Sequence, residues 1–525
     1  MARDSTFITT SIPYVNGRPH VGFAWELVIA DALARFHRLR GDDVWFLTGT
    51  DDNSLKNVRA AEREGVATSE FVHAQGERFK ALAAALRLSN DDFLRTAFDP
   101  RHAPAVDKLW RACDARGDIY ARSYSGAYCV GCVQFYAPHE LSLGRCPEHD
   151  APLEHVDESN YFFRLERYQE HVDRALSSGA LRVFPDVYQR ESFGWIERGL
   201  ADFSISRSAE RAGGWGVPVP DDERQIVYVW FDALANYISA LDYATAGPRL
   251  ESHWQKSTRR IHVIGKNVTR FHCIYWPAIL ASAGLSGPSD VVVHGFLTVD
   301  GRKLGKSLGN GVDPFELLRD VGADRLRYYL LRHFPLGKDG NFSLPSLVTA
   351  TNAELADQLG NLQNRVLVLL EQNTGGSIPA AVLEDTVLSG RARQAATAAA
   401  LELERGDPHA ALAAVFAFIE ACNGEIARTE PWKLARRLRE DPGGAESAGT
   451  RAELAAVLGD AARALLWIGA LLEPFLPDAA PAIAQALGAP LPAVYRKELP
   501  DWVSLGAGAQ TRRGGVLFAK LEGAR

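Results

Sequence analysis

Hydrophobic and polar positions change rhythm three times along the chain. In the first stretch, β-branched and aromatic residues run through TFITTSIPY, and Gly17 and Pro19 break the run. Apolar residues then return at helical spacing between Ala24 and Leu39, at Leu27, Val28, Leu33 and Phe36. DVWFLTGT predicts a second strand, and the same order recurs downstream as RRIHVIGKN, Thr269 to Ala283, and DVVVHGF. Two such units predict the halves of one parallel, doubly wound Rossmann-like sheet. Such sheets bind ligands beyond the carboxyl ends of their strands, where the strand order reverses. PHVGF, GTDD, GKN and HGF would all fall on that rim.

Between the halves, Asp118 to Glu223 reads as short strands and turns and holds the close-spaced cysteines, which predicts an insertion. Past Thr349 the period becomes helical, with stripes at Leu355/Leu359/Leu362/Val366, Leu412/Val415/Phe416/Ile419 and Leu454/Leu458/Ala461/Leu465/Ile468/Leu472. The expected organisation is therefore an α/β domain in two halves (1–117 and 224–300) split by an inserted domain (118–223). A basic-loop region (301–350) and an all-α bundle (351–525) follow. EDPGGAESAGTR predicts a solvent loop within the bundle.

With 525 residues and 46% of them apolar, the chain is long enough for two to four packed domains. No uninterrupted apolar run reaches about 18 residues, and MARDSTFITT lacks the basic-then-apolar layout of a secretory signal, so export and membrane spanning are not expected. Six cysteines are too few for a disulfide scaffold at this length, which predicts a reducing, cytoplasmic setting. A net charge of −7 excludes a generic nucleic-acid-coating protein and leaves room for a specific RNA partner through a local basic face.

Candidate chemistry gathers on the rim. His20 and Gly22 stand at a strand-to-helix joint, beside the free N–H groups and positive end of a helix dipole, where phosphate binds; a plain turn histidine is the alternative. DGRKLGKSLGN, just past the last strand of the second half, carries Lys303 and Lys306 as flexible point charges suited to a pyrophosphate, or simply a solvated basic loop. Gly265, Lys266, His294 and Gly295 complete a nucleotide-binding rim, with Ser307 behind the lysines. In the insertion, Cys129 and Cys132 are followed, with thirteen residues between, by Cys146 and His149. That is a four-ligand N/S set suited to tetrahedral, structural Zn²⁺, the alternative being two unrelated thiol pairs. Cys113, Cys273 and Cys422 sit in apolar helical contexts and are expected to be buried thiols.

HVGF (His20 to Phe23) and KLGKS (Lys303 to Ser307), one in each half, resemble the two signatures of class I aminoacyl-tRNA synthetases, His-Ile-Gly-His and Lys-Met-Ser-Lys-Ser. The resemblance narrows to methionyl-tRNA synthetases and covers nearly the whole chain. RFHRLRGDDVWFLTGTD, FSISR, WGVPVP, YVWFDALANYISAL, FHCIYWPAILASAG, HGFLTVDGRKLGKSLGNGVDP and LGNLQNR each look like that family's segments, in its order. The resemblance implies activation of methionine with ATP and Mg²⁺ to an adenylate, then transfer to tRNA, with His20, Lys303 and Lys306 catalytic. It implies a methionine pocket at Ile12, Tyr14, Trp230, Ala233, Leu234, Tyr237 and His272, with Asp51 holding the substrate ammonium. It also implies that 301–350 contacts the tRNA stem and that Asn361, Arg365 and Trp432 read the anticodon, an exposed indole stacking a base while Asn and Arg meet its edges.

Departures from the family cluster on the rim. Phe23 replaces the last histidine of the first signature; Asp52-Asn53-Ser54 replaces the usual Glu-His-Gly; Asn267 replaces an aspartate and Gly305 a serine. Groups of this positioning kind are commonly worth about 10²–10³ in rate each. They motivate an alternative, a paralogue resembling natural-product enzymes that pass an activated amino acid to an N-hydroxylated amine alongside a cupin partner. The chain ends soon after the bundle, so the extra C-terminal module of some relatives is expected to be absent and a monomer is expected.

Overall fold

The computed structural model describes residues 4–129, 134–136, 141, 144–146, 152–299, 302–303, 312–380 and 385–522. The first half runs β1 (Ser5–Thr10), α1 (Val21–Arg40), β2 (Asp43–Thr50), α2 (Leu55–Glu64), α3 (Thr68–Ala85), β3 (Asp92–Arg95) and α4 (His102–Ala115). The middle of the chain holds β4 (Ile119–Cys129), β5 (Gln134–Tyr136), β6 (Glu154–Phe163), β7 (Arg182–Phe184), β8 (Phe203–Ser204), β9 (Ser206–Ser208), β10 (Pro218–Val219) and β11 (Asp222–Val227). The second half supplies β12 (Arg259–Gly265) and β13 (Asp290–His294), and β14 (Leu297–Val299), β15 (Arg302–Lys303) and β16 (Gly340–Phe342) form a small sheet after it.

The main sheet has six parallel strands in the order β3-β2-β1-β12-β13-β7. Its central strands are apolar in runs because both faces are covered: Ile8, Phe46, Val263 and Val292 enter one core, while Phe7, Leu47, Ile264, Val291 and Val293 enter the other. The interval from 118 to 223 is not wholly separate from this sheet. β4, β5, β6 and β8 make an antiparallel sheet of their own, but β7 returns to pair with β13 at the edge of the parallel one. Three residues, Arg-Val-Phe, are too short a strand for periodicity to reveal.

Helix α1 starts after Pro19, with His20 extended at its N-cap, and stops at Gly41, whose φ of +109° lets its N–H close back on the carbonyls of His37 and Arg38. The bundle follows as helices Asn361–Thr374, Val387–Arg405, Pro408–Thr429, Pro431–Glu440, Ser447–Leu472 and Ala479–Leu487. By length and composition alone, 408–440 and 447–472 would suffice to cross a membrane. Here their apolar faces, Leu412, Val415, Phe416 and Ile419 on one and Leu458, Leu465, Ile468 and Leu472 on the other, are packed into the bundle core.

The bundle is fastened to the sheet by ion pairs. Glu404 accepts Arg259, which also holds Asp290, and Arg40 at the end of α1. Deeper in, Arg327 is fully buried, pairs with Asp31 of α1 at 2.7 Å and donates to the carbonyls of Leu86, Pro474 and Phe475. Asp31 also accepts Arg35 and both the backbone and hydroxyl of Ser89. Burial alone would raise this carboxyl, but Arg327, Arg35 and Ser89 hold it below the ordinary carboxylate range. Its contribution is thus present above pH values near the unfolded pKa and is lost as pH falls through the folded one. Arg327→Met leaves that charge short of a partner and is expected to lower the unfolding free energy by about 3–5 kcal/mol, measured by urea denaturation at pH 7. A loss below about 1 kcal/mol would mean the pair does not tie the domains.

Candidate functional site

The strand order reverses between β1 and β12, and a cavity of about 790 Å³ opens beyond their carboxyl ends. Its walls come from both halves: the segment 11–23 after β1, helix Val229–Ser239, and the turns after β12 and β13. Ile12, Tyr14, Trp230, Ala233, Leu234, Tyr237, His272, His20, Gly22, Gly265, His294 and Gly295 all line it.

One end is aromatic. Trp230 stacks on Phe271 at 3.8 Å and 12° and meets Tyr14 edge-on, while Tyr237 stacks on His262 at 4.2 Å. His272 arrives from a wide turn, Phe271–Tyr275, in which the helix after β12 is wound with i→i+5 bonds before it tightens at Trp276. Its Nδ1–H donates to the Val268 carbonyl, so Nε2 is the acceptor and takes the Tyr237 hydroxyl proton at 2.7 Å. Burial pushes His272 down to about 4, so the ring stays neutral at ordinary pH, and burial keeps the Tyr237 phenol protonated as well. With the Tyr237 hydroxyl given to His272, this end offers flat, polarizable surface and suits an unbranched apolar or thioether side chain.

The other end is polar. His20 caps α1, and the Phe23 ring packs edge-on against Phe79 at 5.2 Å and faces His20 at 6.4 Å, so this wall beside the helix N-terminus is apolar. Ser11 donates to Glu26 at 2.7 Å, and Glu26 meets His294 Nε2 at 2.9 Å; His294 Nδ1–H is given to the Gly295 carbonyl. A proton therefore lies between His294 and Glu26, and the bridge joins β1, α1 and β13 across the switch point. Gly295 could not carry a side chain: a Cβ would lie 2.1 Å from the Lys338 carbonyl oxygen. Lys266 stands outside the lining, held by both oxygens of Asp339 at 2.8 and 2.9 Å and lying over the Phe296 ring. Lys306 and Ser307 lie outside the described residues, and Lys303 is described only by the pairing of β15 with β14.

Asp51 is placed differently from the other residues expected at the amino-acid end. It is 1% exposed and stands behind the lining, its backbone bridged to Tyr14 and its N–H given to the Pro13 carbonyl. Burial, then the neighbouring Asp232 and Asp52, raise its carboxyl well above the ordinary range. Asp52 is itself pushed up by burial, to about 6, against the pull of Arg95.

In the middle region Cys129 and Cys146 are brought together, both buried with Leu141 and Leu153 packed against them, which is the soft, dehydrated setting a thiolate–zinc site needs. Cys132 and His149 lie outside the described residues, and among the described residues no three His, Cys, Asp or Glu side chains meet as a metal cage. Cys113 and Cys273 are buried, and burial pushes both thiols up to about 12. In the bundle, Asn361 and Arg365 are exposed on one face of their helix, and Trp432, at the start of its own, is 41% exposed. Outside the family resemblance such a tryptophan reads as core, so its exposure marks it.

Sequence reasoning missed Ser11, Glu26 and Lys56 among the lining residues. Glu26 had a signal, a lone acid inside the apolar run AWELVIA. The family model for tRNA synthetases class I (M) matches residues 6–155 and 149–367. The chain is 39% identical over 497 residues to the methionine-tRNA ligase of Brucella melitensis, covering 93% of each. It is 37% identical over 534 residues to that of Streptomyces coelicolor, covering 98% of this chain and 96% of the other. Among solved structures, Mycobacterium tuberculosis methionyl-tRNA synthetase in complex with methionyl-adenylate matches with a TM-score of 0.89 at 33% identity, covering 98% of this chain and 99% of that one. The free form of the same enzyme matches with a TM-score of 0.84 at 31% identity, covering 99% of both. Sequence similarity over almost the full length, and a fold shared from the first strand to the last helix, place this chain in the methionyl-tRNA synthetase family of class I aminoacyl-tRNA synthetases.

Proposed function

We propose that this protein activates methionine with ATP and transfers it to the 3′ end of a methionine tRNA in the cytoplasm. The observation that carries the reading is the near-complete structural match to an enzyme holding methionyl-adenylate, the product of the first step. The cavity supports it, because an aromatic end and a glycine-lined polar end share one space beside a helix N-terminus.

The thioether would lie among Trp230, Ala233, Leu234 and Tyr237, with the ammonium toward Asp51. The methionine carboxylate then attacks the α-phosphorus of ATP in line, and pyrophosphate leaves. His20 and the N-terminus of α1 stabilise the charge that moves onto the pyrophosphate, with Lys303 and Lys306 of the basic loop opposite. Mg²⁺ accompanying ATP supplies charge neutralisation at the phosphates. In the second step a tRNA 3′-terminal hydroxyl attacks the acyl carbon and AMP leaves, the anticodon being read by Asn361, Arg365 and Trp432. Cys129, Cys132, Cys146 and His149 would hold a zinc ion, which with four protein ligands and no open position would be structural.

The departure at Phe23, whose ring packs on Phe79 and His20, is the motive for a second reading, in which the adenylate goes to an N-hydroxylated amine with a cupin acting afterwards. The relatives named above are all tRNA ligases and lend it no support. Pyrophosphate exchange across the twenty amino acids, followed by charging assays with tRNA, decides between the two. Exchange with methionine and charging of methionine tRNA are expected; exchange with another amino acid and no charging would overturn the main reading.

Two substitutions test parts of the site. Tyr237→Phe removes the proton given to His272 and leaves a buried acceptor unpaired, a cost of about 1–3 kcal/mol. The KM for methionine in the exchange assay should rise by roughly 5- to 150-fold, and an unchanged KM would remove Tyr237 from the pocket. Cys146→Ser should take the zinc content, by elemental analysis, from one per chain to none. Retention of one zinc would show that the ligand set is wrong.

A further inference from the structure

The three carboxyl groups behind Tyr14 are not equally partnered. Asp52 faces Arg95 at 3.3 Å and accepts the Thr50 hydroxyl at 2.9 Å. Asp232 accepts His102 Nε2 at 2.9 Å on one oxygen and the side-chain amide of Asn53 at 3.0 Å on the other. The Ser239 hydroxyl lies 2.7 Å from the Ala235 carbonyl and 3.1 Å from His102 Nδ1. Asp232 is thus met by a buried basic ring on one oxygen and by an amide on the other. Asp51 has no such partner: its carboxylate accepts the backbone N–H of Asn53 at 3.2 Å, and Lys56, on the cavity side over the Tyr14 ring, is the weakest of the influences on it. Of the three buried carboxylates, Asp52 and Asp232 each face a buried basic side chain, and among the described residues Asp51 does not.

Asn53 joins the two ends of this arrangement. Its backbone N–H holds Asp51 and its side-chain amide holds Asp232, so one residue fixes their spacing. The turn itself is secured by other groups. Asn57 donates to the carbonyls of Asp51 and Asp52, Trp215 Nε1 donates to the Asp52 carbonyl, and Ser54 caps α2 by accepting from Lys56 N. Removing the Asn53 amide therefore leaves the backbone placed.

We propose that Asn53 is a positioning residue for ammonium recognition: it holds Asp232 against His102 and apart from Asp51, so that Asp51 alone receives the positive charge of the amino acid. The proposal rests on the reading of the cavity as an amino-acid-activating site. It gives a purpose to an amide where the family usually carries histidine, since a neutral donor separates two anions without adding a titrating group of its own.

The test compares methionine with 4-(methylthio)butanoate, which keeps the thioether and carboxylate and lacks the ammonium. In pyrophosphate exchange, Asn53→Ala should raise the methionine KM by about tenfold or more with kcat within about twofold. The inhibition constant of 4-(methylthio)butanoate should not move. Adding Asp232→Asn to Asn53→Ala removes the stray charge and should bring the methionine KM back toward the wild-type value. Equal weakening of both ligands would show a merely structural residue, and no change in either would show that Asn53 does not act on the ammonium; both overturn the proposal. If the wild-type protein exchanges with a different amino acid, the methionine reading fails instead, and the same comparison is made with that amino acid and its deamino counterpart.

Discussion

The buried pair between Asp31 and Arg327 is the contact on which the arrangement of this molecule turns. Asp31 lies midway along α1, a rod of 20 residues and about 30 Å, and Arg327 reaches it from helix Ala323–His333 while gripping two carbonyls that lead into the last bundle helix. Each group is costly to bury, so the two are tolerable only together and only with every remaining donor met. That condition is stringent enough to specify one way of docking three parts of the chain. Because α1 is continuous, fixing its middle against the bundle also fixes its first turn, where His20 faces the cavity.

The cavity depends on the two halves of the sheet in the same manner. Ser11, Glu26 and His294 form a polar bridge between elements far apart in sequence, and each contributes a lining group to the polar end. Around it three of the departures from the family have neighbours of their own. Phe23 fills the space between His20 and Phe79, Ser54 becomes a helix cap and Asp52 finds Arg95.

Much of this was legible in the sequence because the physics behind it is periodic or local. DVWFLTGT is a strand over its full length, with Val44, Phe46 and Leu47 buried between the layers, and the bundle helices follow their stripes. His20 and Gly22, which line the cavity after β1, were legible through the first signature. What escaped needs the third dimension. β7 is three residues long and is defined by its partner β13 rather than by its own pattern. The placement of Asp51 behind Tyr14, and the pairing of Asp232 with a histidine 130 residues away, follow from packing that no spacing rule encodes.

The wide turn at Phe271–Tyr275 carries a consequence for how this protein can change over evolutionary time. Such a turn holds one residue more than the α-helix needs, and each residue is worth about 100° of rotation around the axis. Losing a single residue there would regularise the helix, a gain for local hydrogen bonding, yet it would swing His272 away from Tyr237 and Phe271 away from Trp230. This segment can therefore accept exchanges of side chain but not changes of length. Drift in the pocket's preference is steered into substitutions at fixed positions, while insertions and deletions are left to the loops between the bundle helices.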